Sequence, residues 1–227
     1  MERKFTFAEG EFYHVYNRGV EKRDIFMSTD DRQRFQKLLY LANGTKPFVY
    51  KTIQRMPLDK IDTGEKLVAI GAYCLMPNHF HILIKEINKG GISTFMEKLA
   101  TGYSKYFNKK HQRVGVLFQD RFKAEHVDTD EYLKYLYAYI HLNPVKLIDP
   151  LWKEFGIRDA VGAKKYLDGY RDSSYLDYLG KDREEKLILT KSEFPEYFDK
   201  PKDFSAYVND WLEFVKEGGT TSHVSHA

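Results

Sequence analysis

The run LMPNHFHILIKE at residues 75–86 constrains this chain more than any other stretch. In a β-strand, successive side chains point to opposite faces. His79, His81 and Leu83 would then share one face, while Phe80, Ile82 and Ile84 share another that is apolar enough to pack on helices. Residues 66–75 supply a preceding strand, and Met76-Pro77-Asn78 supplies a turn. The two strands therefore make a tight hairpin with the histidines near its mouth. Two imidazoles two residues apart on one strand face, with Cα atoms about 6.6 Å apart, can converge on one divalent cation. They can equally be half-exposed polar positions, and the pair alone does not choose between these readings. A second cluster bears on the choice: Tyr139-Ile140-His141-Leu142-Asn143-Pro144.

The chain around the hairpin alternates strands and helices. In residues 11–20, Phe12, His14 and Tyr16 fall on one face and Tyr13, Val15 and Asn17 on the other, with Gly19 ending the strand. Asn17, Arg18 and Gly19 either contact phosphate or simply make the turn. Ser28-Thr29-Asp30-Asp31 is an N-cap cluster opening a helix at about residues 30–43, closed by Gly44. Residues 45–65 are irregular, with a short strand near 48–53. Gly90-Gly91 breaks the chain after the hairpin, and Ser93 caps a second helix over residues 92–110. Residues 114–127 read as a loop and then a strand, in which Phe118, Phe122 and Ala124 alternate with Gln119, Arg121, Lys123 and Glu125. Asp128-Thr129-Asp130 caps a third helix over residues 131–142. The order β-α-β-β-α-β-α predicts an α+β fold, an antiparallel sheet with helices packed on one face.

After Pro150 the pattern changes. Residues 1–150 read as the main domain and 151–217 as a helical C-terminal extension. Phe204, Tyr207, Val208, Trp211, Leu212 and Val215 lie along one amphipathic helix, and residues 218–227 form a flexible tail in which His223 and His226 are not ligands.

Composition excludes several function classes. No run approaches the ~18 apolar residues of a membrane span, and the charged N-terminus does not resemble a signal peptide. One cysteine, Cys74, rules out an internal disulfide framework and suits a reducing, cytoplasmic compartment. Net charge is only +3, but residues 97–126 carry seven Lys or Arg against three acids. That is either a solvated face or a phosphate-contacting one. Tyr139 and Asn143, four residues apart, share a helix face, although the residue before a proline avoids the α region, which puts Asn143 at the helix end. Taken singly, Tyr139 reads as a core aromatic and Asn143 as a helix cap. His141, two positions along the helix, points away from Tyr139 and reads as structural or DNA-contacting.

The ordered set MPNHFHIL (76–83), GVLFQDRF (115–122), YIHLNPVK (139–146) and SSYLDYLG (173–180) resembles the single-tyrosine HUH transposases, in particular the REP-associated, insertion-sequence-like tyrosine transposases. The resemblance runs over about residues 10–180. It implies a ferredoxin- or RRM-like HUH endonuclease fold. It also implies a divalent metal, Mg²⁺ or Mn²⁺, held by His79, His81 and Asn143, with Tyr139 as nucleophile forming a 5′-phosphotyrosine. The implied substrate is hairpin-forming single-stranded DNA, handled by a homodimer in the cytoplasm or on the nucleoid. Arg121 and Lys123, with Gln119 and Arg18, are the candidate DNA contacts, or else solvated surface. Two rival functions fit the same fold: a catalytically silent single-strand-binding protein and a metal-dependent phosphodiester hydrolase.

Overall fold

The computed structural model describes residues 6–214. Val215, the tail and its two histidines lie outside the described residues. Strand β1 (Phe12–Arg18) is followed by α1 (Thr29–Ala42) and a single-turn helix α2 (Tyr50–Ile53). Next come the hairpin strands β2 (Val68–Met76) and β3 (His79–Glu86), then α3 (Gly91–Lys110), β4 (Lys123–Val127) and α4 (Asp130–Leu142). The strands form one antiparallel sheet in the order β2-β3-β1-β4. The histidine strand β3 is therefore central, and β1 and β4 extend the sheet beside it.

The α+β class is the expected one, but the layering is fuller than one-sided packing. Phe80 projects onto α1 and α3, where its ring centroid lies 4.9 Å from that of Phe35, and Phe35 lies 4.9 Å from Tyr103. The opposite face is covered by α4, whose Tyr139 meets His14 and His81. A second layer is needed there because Ala72, Cys74 and Leu83 on that face are fully buried and apolar; leaving them in water would forfeit roughly 25 cal/mol per Å².

Local chemistry accounts for the element ends. Ser28 and Asp31 close a capping box at the start of α1. The buried Asp31 carboxylate also accepts from Tyr106 at 3.0 Å and Lys110 at 2.9 Å, tying α1 to α3. Ser93 does not cap α3. The buried carboxylate of Glu86 accepts from Gly90 N at 2.6 Å and Ile92 N at 2.8 Å instead, satisfying the orphan amides from the end of β3. The short strand expected near 48–53 is the helix α2: Thr52 N and Oγ1 both return to Val49 O, at 3.0 and 2.8 Å, and close a helical turn.

The remaining helices are α5 (Trp152–Phe155), α6 (Ala160–Gly169), α7 (Tyr175–Tyr178) and α8 (Pro201–Phe214). They fold back over the sheet. β2 is an edge strand, yet all nine of its residues are buried. Its open edge is met by Leu75 N to Asp172 O at 2.8 Å, Ser174 N to Tyr73 O at 3.0 Å and Thr190 N to Ile70 O at 2.9 Å, which blunts it against pairing with other chains. Gly71 sits at an irregularity in the β2–β3 register, and a Cβ there would lie 2.7 Å from the Phe194 ring. Buried Phe204, Val208 and Leu212 seat α8, and Trp211 meets Tyr135 of α4 at 5.2 Å.

Candidate active site

β3 sets out the histidines as alternation requires. His79 is half-buried and His81 is 4% exposed, with ring centroids 5.0 Å apart and planes nearly perpendicular. Each ring has one nitrogen engaged. His79 Nδ1 lies 2.6 Å from Asn78 Oδ1, and His81 Nδ1 lies 2.9 Å from His14 Nε2. The amide oxygen of Asn78 can only accept, so His79 Nδ1 carries the proton and its Nε2 keeps a lone pair.

The His14 contact extends to Glu125 on β4. Glu125 Oε2 is 3.7 Å from His14 Nδ1, too long for a hydrogen bond but close enough to favour N–H at that atom. His14 Nε2 then accepts from His81 Nδ1, and His81 Nε2 is left as a lone pair. Glu125 itself accepts from Tyr16 Oη at 2.9 Å and Tyr132 Oη at 3.2 Å. Burial alone would raise the Glu125 carboxyl. Its contacts with His14, Tyr16 and Tyr132 outweigh that and hold it below the ordinary carboxylate value. The relay carboxylate to imidazole to imidazole is the outer support that metal-binding histidines commonly receive.

Both β3 histidines are held neutral. Loss of hydration brings His79 down to about 4, helped by the charges of Arg18, Lys146 and Lys153. Burial takes His81 well below the usual range, with His14, His79 and Lys153 adding to it. Neutral imidazole is the form that ligates metal.

Tyr139 lies on the α4 face turned toward this pair. Its ring is edge-on to His81 at 5.6 Å and to His14 at 5.7 Å, and the residue is 9% exposed. Burial raises its hydroxyl above the ordinary tyrosine value and Glu125 adds to this, while Asn143 works in the other direction. Asn143 closes α4 and opens a 3-10 turn, Asn143–Leu147, with Pro144 in its first turn. Its backbone is helical (φ −51, ψ −39) despite the proline that follows, because the chain continues from one helix type into the other. Asn143 Nδ2 donates to Tyr139 O at 2.7 Å, which leaves the lone pairs of the amide oxygen Oδ1 available. Among the described residues, no three His, Cys, Asp or Glu side chains form a metal-binding group. The amide oxygen of Asn143 is a potential metal donor of another type.

The candidate DNA contacts fall along the β1–β4 side. Arg18 is exposed and lies opposite His79 in the sheet register, and Lys123 is exposed opposite Tyr16. Gln119 and Arg121 are exposed on the loop leading into β4, and Gln119 N donates to Arg18 O at 2.9 Å. His141 is structural. It is fully buried, with Nδ1 2.8 Å from Tyr137 O and Nε2 2.7 Å from Ser174 Oγ, so it locks the YIHLNP helix to the SSYLDYLG segment.

Sequence reasoning passed over His14, Glu125, Lys146 and Lys153. The first two had a signal, since alternation puts both on the polar faces of their strands. Lys153 had none. It lies on α5 with Nζ 4.3 Å from the centre of the Tyr139 ring, a contact made by chain return.

Residues 49–143 match the family model described as transposase IS200 like. This stretch runs from just before α2 to Asn143 and holds both histidines and Tyr139. The chain is also similar in fold to the solved structure of the REP-associated tyrosine transposase bound to a REP hairpin. That match has a TM-score of 0.50 at 14% identity and covers 80% of this chain and 86% of the other. No curated protein matches the sequence. Among the described residues, no helix is long and apolar enough to cross a membrane.

Proposed function

We propose that this chain nicks single-stranded, hairpin-forming DNA and rejoins it through a 5′-phosphotyrosine at Tyr139. A divalent cation, Mg²⁺ or Mn²⁺, would be held by His79, His81 and Asn143. One observation carries the reading: the Tyr139 ring is seated edge-on against His81, 5.6 Å away, within a single chain. The residues present fit the metal. Two neutral imidazoles keep free lone pairs, and an oriented amide keeps a free oxygen. Imidazole donors favour Mn²⁺ over Mg²⁺. A cation bound there supplies Lewis-acid polarisation of the phosphate under attack.

The chain's own residues do the rest. Tyr139 Oη forms a bond to phosphorus as the bond from phosphorus to the 3′ oxygen breaks, and a 3′-hydroxyl is released. The tyrosyl ester keeps the energy of the phosphodiester, so a 3′-hydroxyl can later displace Tyr139 and reseal the strand. Glu125 and His14 hold His81 in its ligand tautomer. Arg18, Gln119, Arg121 and Lys123 guide the strand across the β1–β4 side by phosphate contacts. The neighbour of similar fold was solved bound to a REP hairpin, which supports a hairpin substrate. A homodimer belongs to the reading, since strand transfer brings two DNA ends together, and light scattering of the DNA complex tests it.

The deciding experiment incubates purified protein with end-labelled hairpin strands from the gene's flanks, in Mn²⁺ or EDTA, and resolves them on a denaturing gel. The expected result is a metal-dependent labelled band at protein mass that is absent in Tyr139→Phe. Nicked DNA with no protein-linked band would make the chain a hydrolase. A native-gel shift with neither nick nor adduct on any hairpin would make it a silent binding protein.

A further inference from the structure

Two cations at this site have no role in the account above. Lys146 lies in the 3-10 turn directly after Asn143, and Lys153 lies on α5, anchored by its buried neighbour Trp152. Lys153 Nζ rests on the face of the Tyr139 ring, a cation–π placement. Among the described residues, no carboxylate pairs with either lysine. Asp149, between them in sequence, is occupied by Arg158, whose Nη2 lies 2.7 Å away. Both lysines are exposed to solvent, so an anion can reach them. Arg18 lies opposite His79 in the sheet register, and Lys146 shares the short turn that Asn143 opens. Like charges gathered without an acid between them raise the energy of the free protein. An anion placed there would relieve them.

We propose that Lys146 and Lys153 form an anion seat beside the Tyr139 ring that takes the DNA phosphate presented to that tyrosine. The identity of the anion as a DNA phosphate rests on the function proposed above. The seat explains why a four-residue helix from beyond the family-matched stretch returns to the nucleophile. Lys153 touches the ring that carries the attacking hydroxyl, so an anion drawn to Lys153 arrives next to Oη. Arg18, the sheet-register partner of His79, would hold the strand farther along.

Binding without cleavage tests this. A fluorescein-labelled DNA hairpin with a single-stranded arm is titrated in EDTA over a salt series, with wild type, Lys146→Met, Lys153→Met and Lys153→Arg. Each methionine variant should weaken binding several-fold at low salt and flatten the log–log salt slope by about 0.7, the value for one phosphate contact on a single strand. Lys153→Arg should retain the slope. In a set of strands each carrying one neutral methylphosphonate, a single position should weaken wild type but not weaken Lys153→Met further, which is the non-additivity of a direct contact. Unchanged slopes in folded variants, or additive losses at every position, would overturn the seat. A wild type that binds with these slopes yet never forms an adduct would remove the strand-transfer reading and leave the seat standing. An adduct-forming wild type with indifferent lysines would remove the seat alone, and a wild type that binds none of the strands would remove both.

Discussion

The two faces of β3 differ in kind although they alternate residue by residue. Toward α1 and α3 the strand presents Phe80, Ile82 and Ile84, all at most 1% exposed, against rings such as Phe35 and Tyr103. Toward α4 it presents His79 and His81, one half-buried and one buried, each with a nitrogen tied to a neighbour and the other left free. The first face stabilises by area and close packing. The second spends burial on polar groups, which is tolerable only because a hydrogen-bonded relay meets most of their needs. Stability and chemistry are thus separated by one residue along a strand, and substitutions on the two faces should fail in different ways.

The sharpest separation is expected at Tyr139. Tyr139→Phe should drop the covalent adduct below detection on a denaturing gel while the melting temperature moves by no more than ~2 °C, since the change keeps the ring and its packing and removes only the hydroxyl. Phe80→Ala should do the reverse and cost about 3–5 kcal/mol in urea unfolding, with adduct yield per folded molecule retained. A Phe80→Ala variant that keeps its stability would break the comparison from the packing side. Glu125→Gln probes the relay: it should weaken Mn²⁺ dependence of the adduct roughly 10–100-fold, as loss of an outer partner of a metal-bound histidine does. An unchanged Mn²⁺ titration would leave Glu125 as a plain sheet residue.

A pH effect sharpens the contrast further. His141 titrates near 3 in the folded chain because burial outweighs its bond to Tyr137 O, against an ordinary value of 6.5. Between these values the unfolded chain binds the extra proton. Stability is therefore fully present above about 6.5 and falls as pH drops toward 3, by up to ~1.4 kcal/mol per pH unit from this group. Urea midpoints from pH 7 to 4.5 should fall less steeply for His141→Gln than for wild type; parallel curves would show that the imidazole is not the group responsible. The smallest effect is expected at Arg121, where Arg121→Ala should flatten the salt slope of strand binding by about 0.7 and leave stability alone.

Much of the site was legible because it is local. Alternation alone placed His79 and His81 on one face and Phe80 on the other, and helical spacing aligned Tyr139 with Asn143. The hairpin, the third helix and the amphipathic face of α8 were legible for the same reason. What failed was non-local. Glu86 rather than Ser93 caps α3, because the acceptor comes from the preceding strand. Helices cover both sheet faces, because residues after 150 and α4 return over the side that period-two alternation alone left open. Lys153 reaches Tyr139 only through that return, and no spacing rule links residues 139 and 153 across a proline and a 3-10 turn.

The central claim is that Tyr139 is the atom-bearing end of the reaction, and peptide mass spectrometry of the trapped adduct tests it most directly. Trypsin after Lys134 and Lys146 releases residues 135–146, which hold Tyr135, Tyr137 and Tyr139. After reaction in Mn²⁺ and nuclease trimming, fragmentation should place a 5′-linked deoxynucleotide on Tyr139. The same mass on Tyr135 or Tyr137, or strand cleavage with this peptide wholly unmodified, would contradict the account.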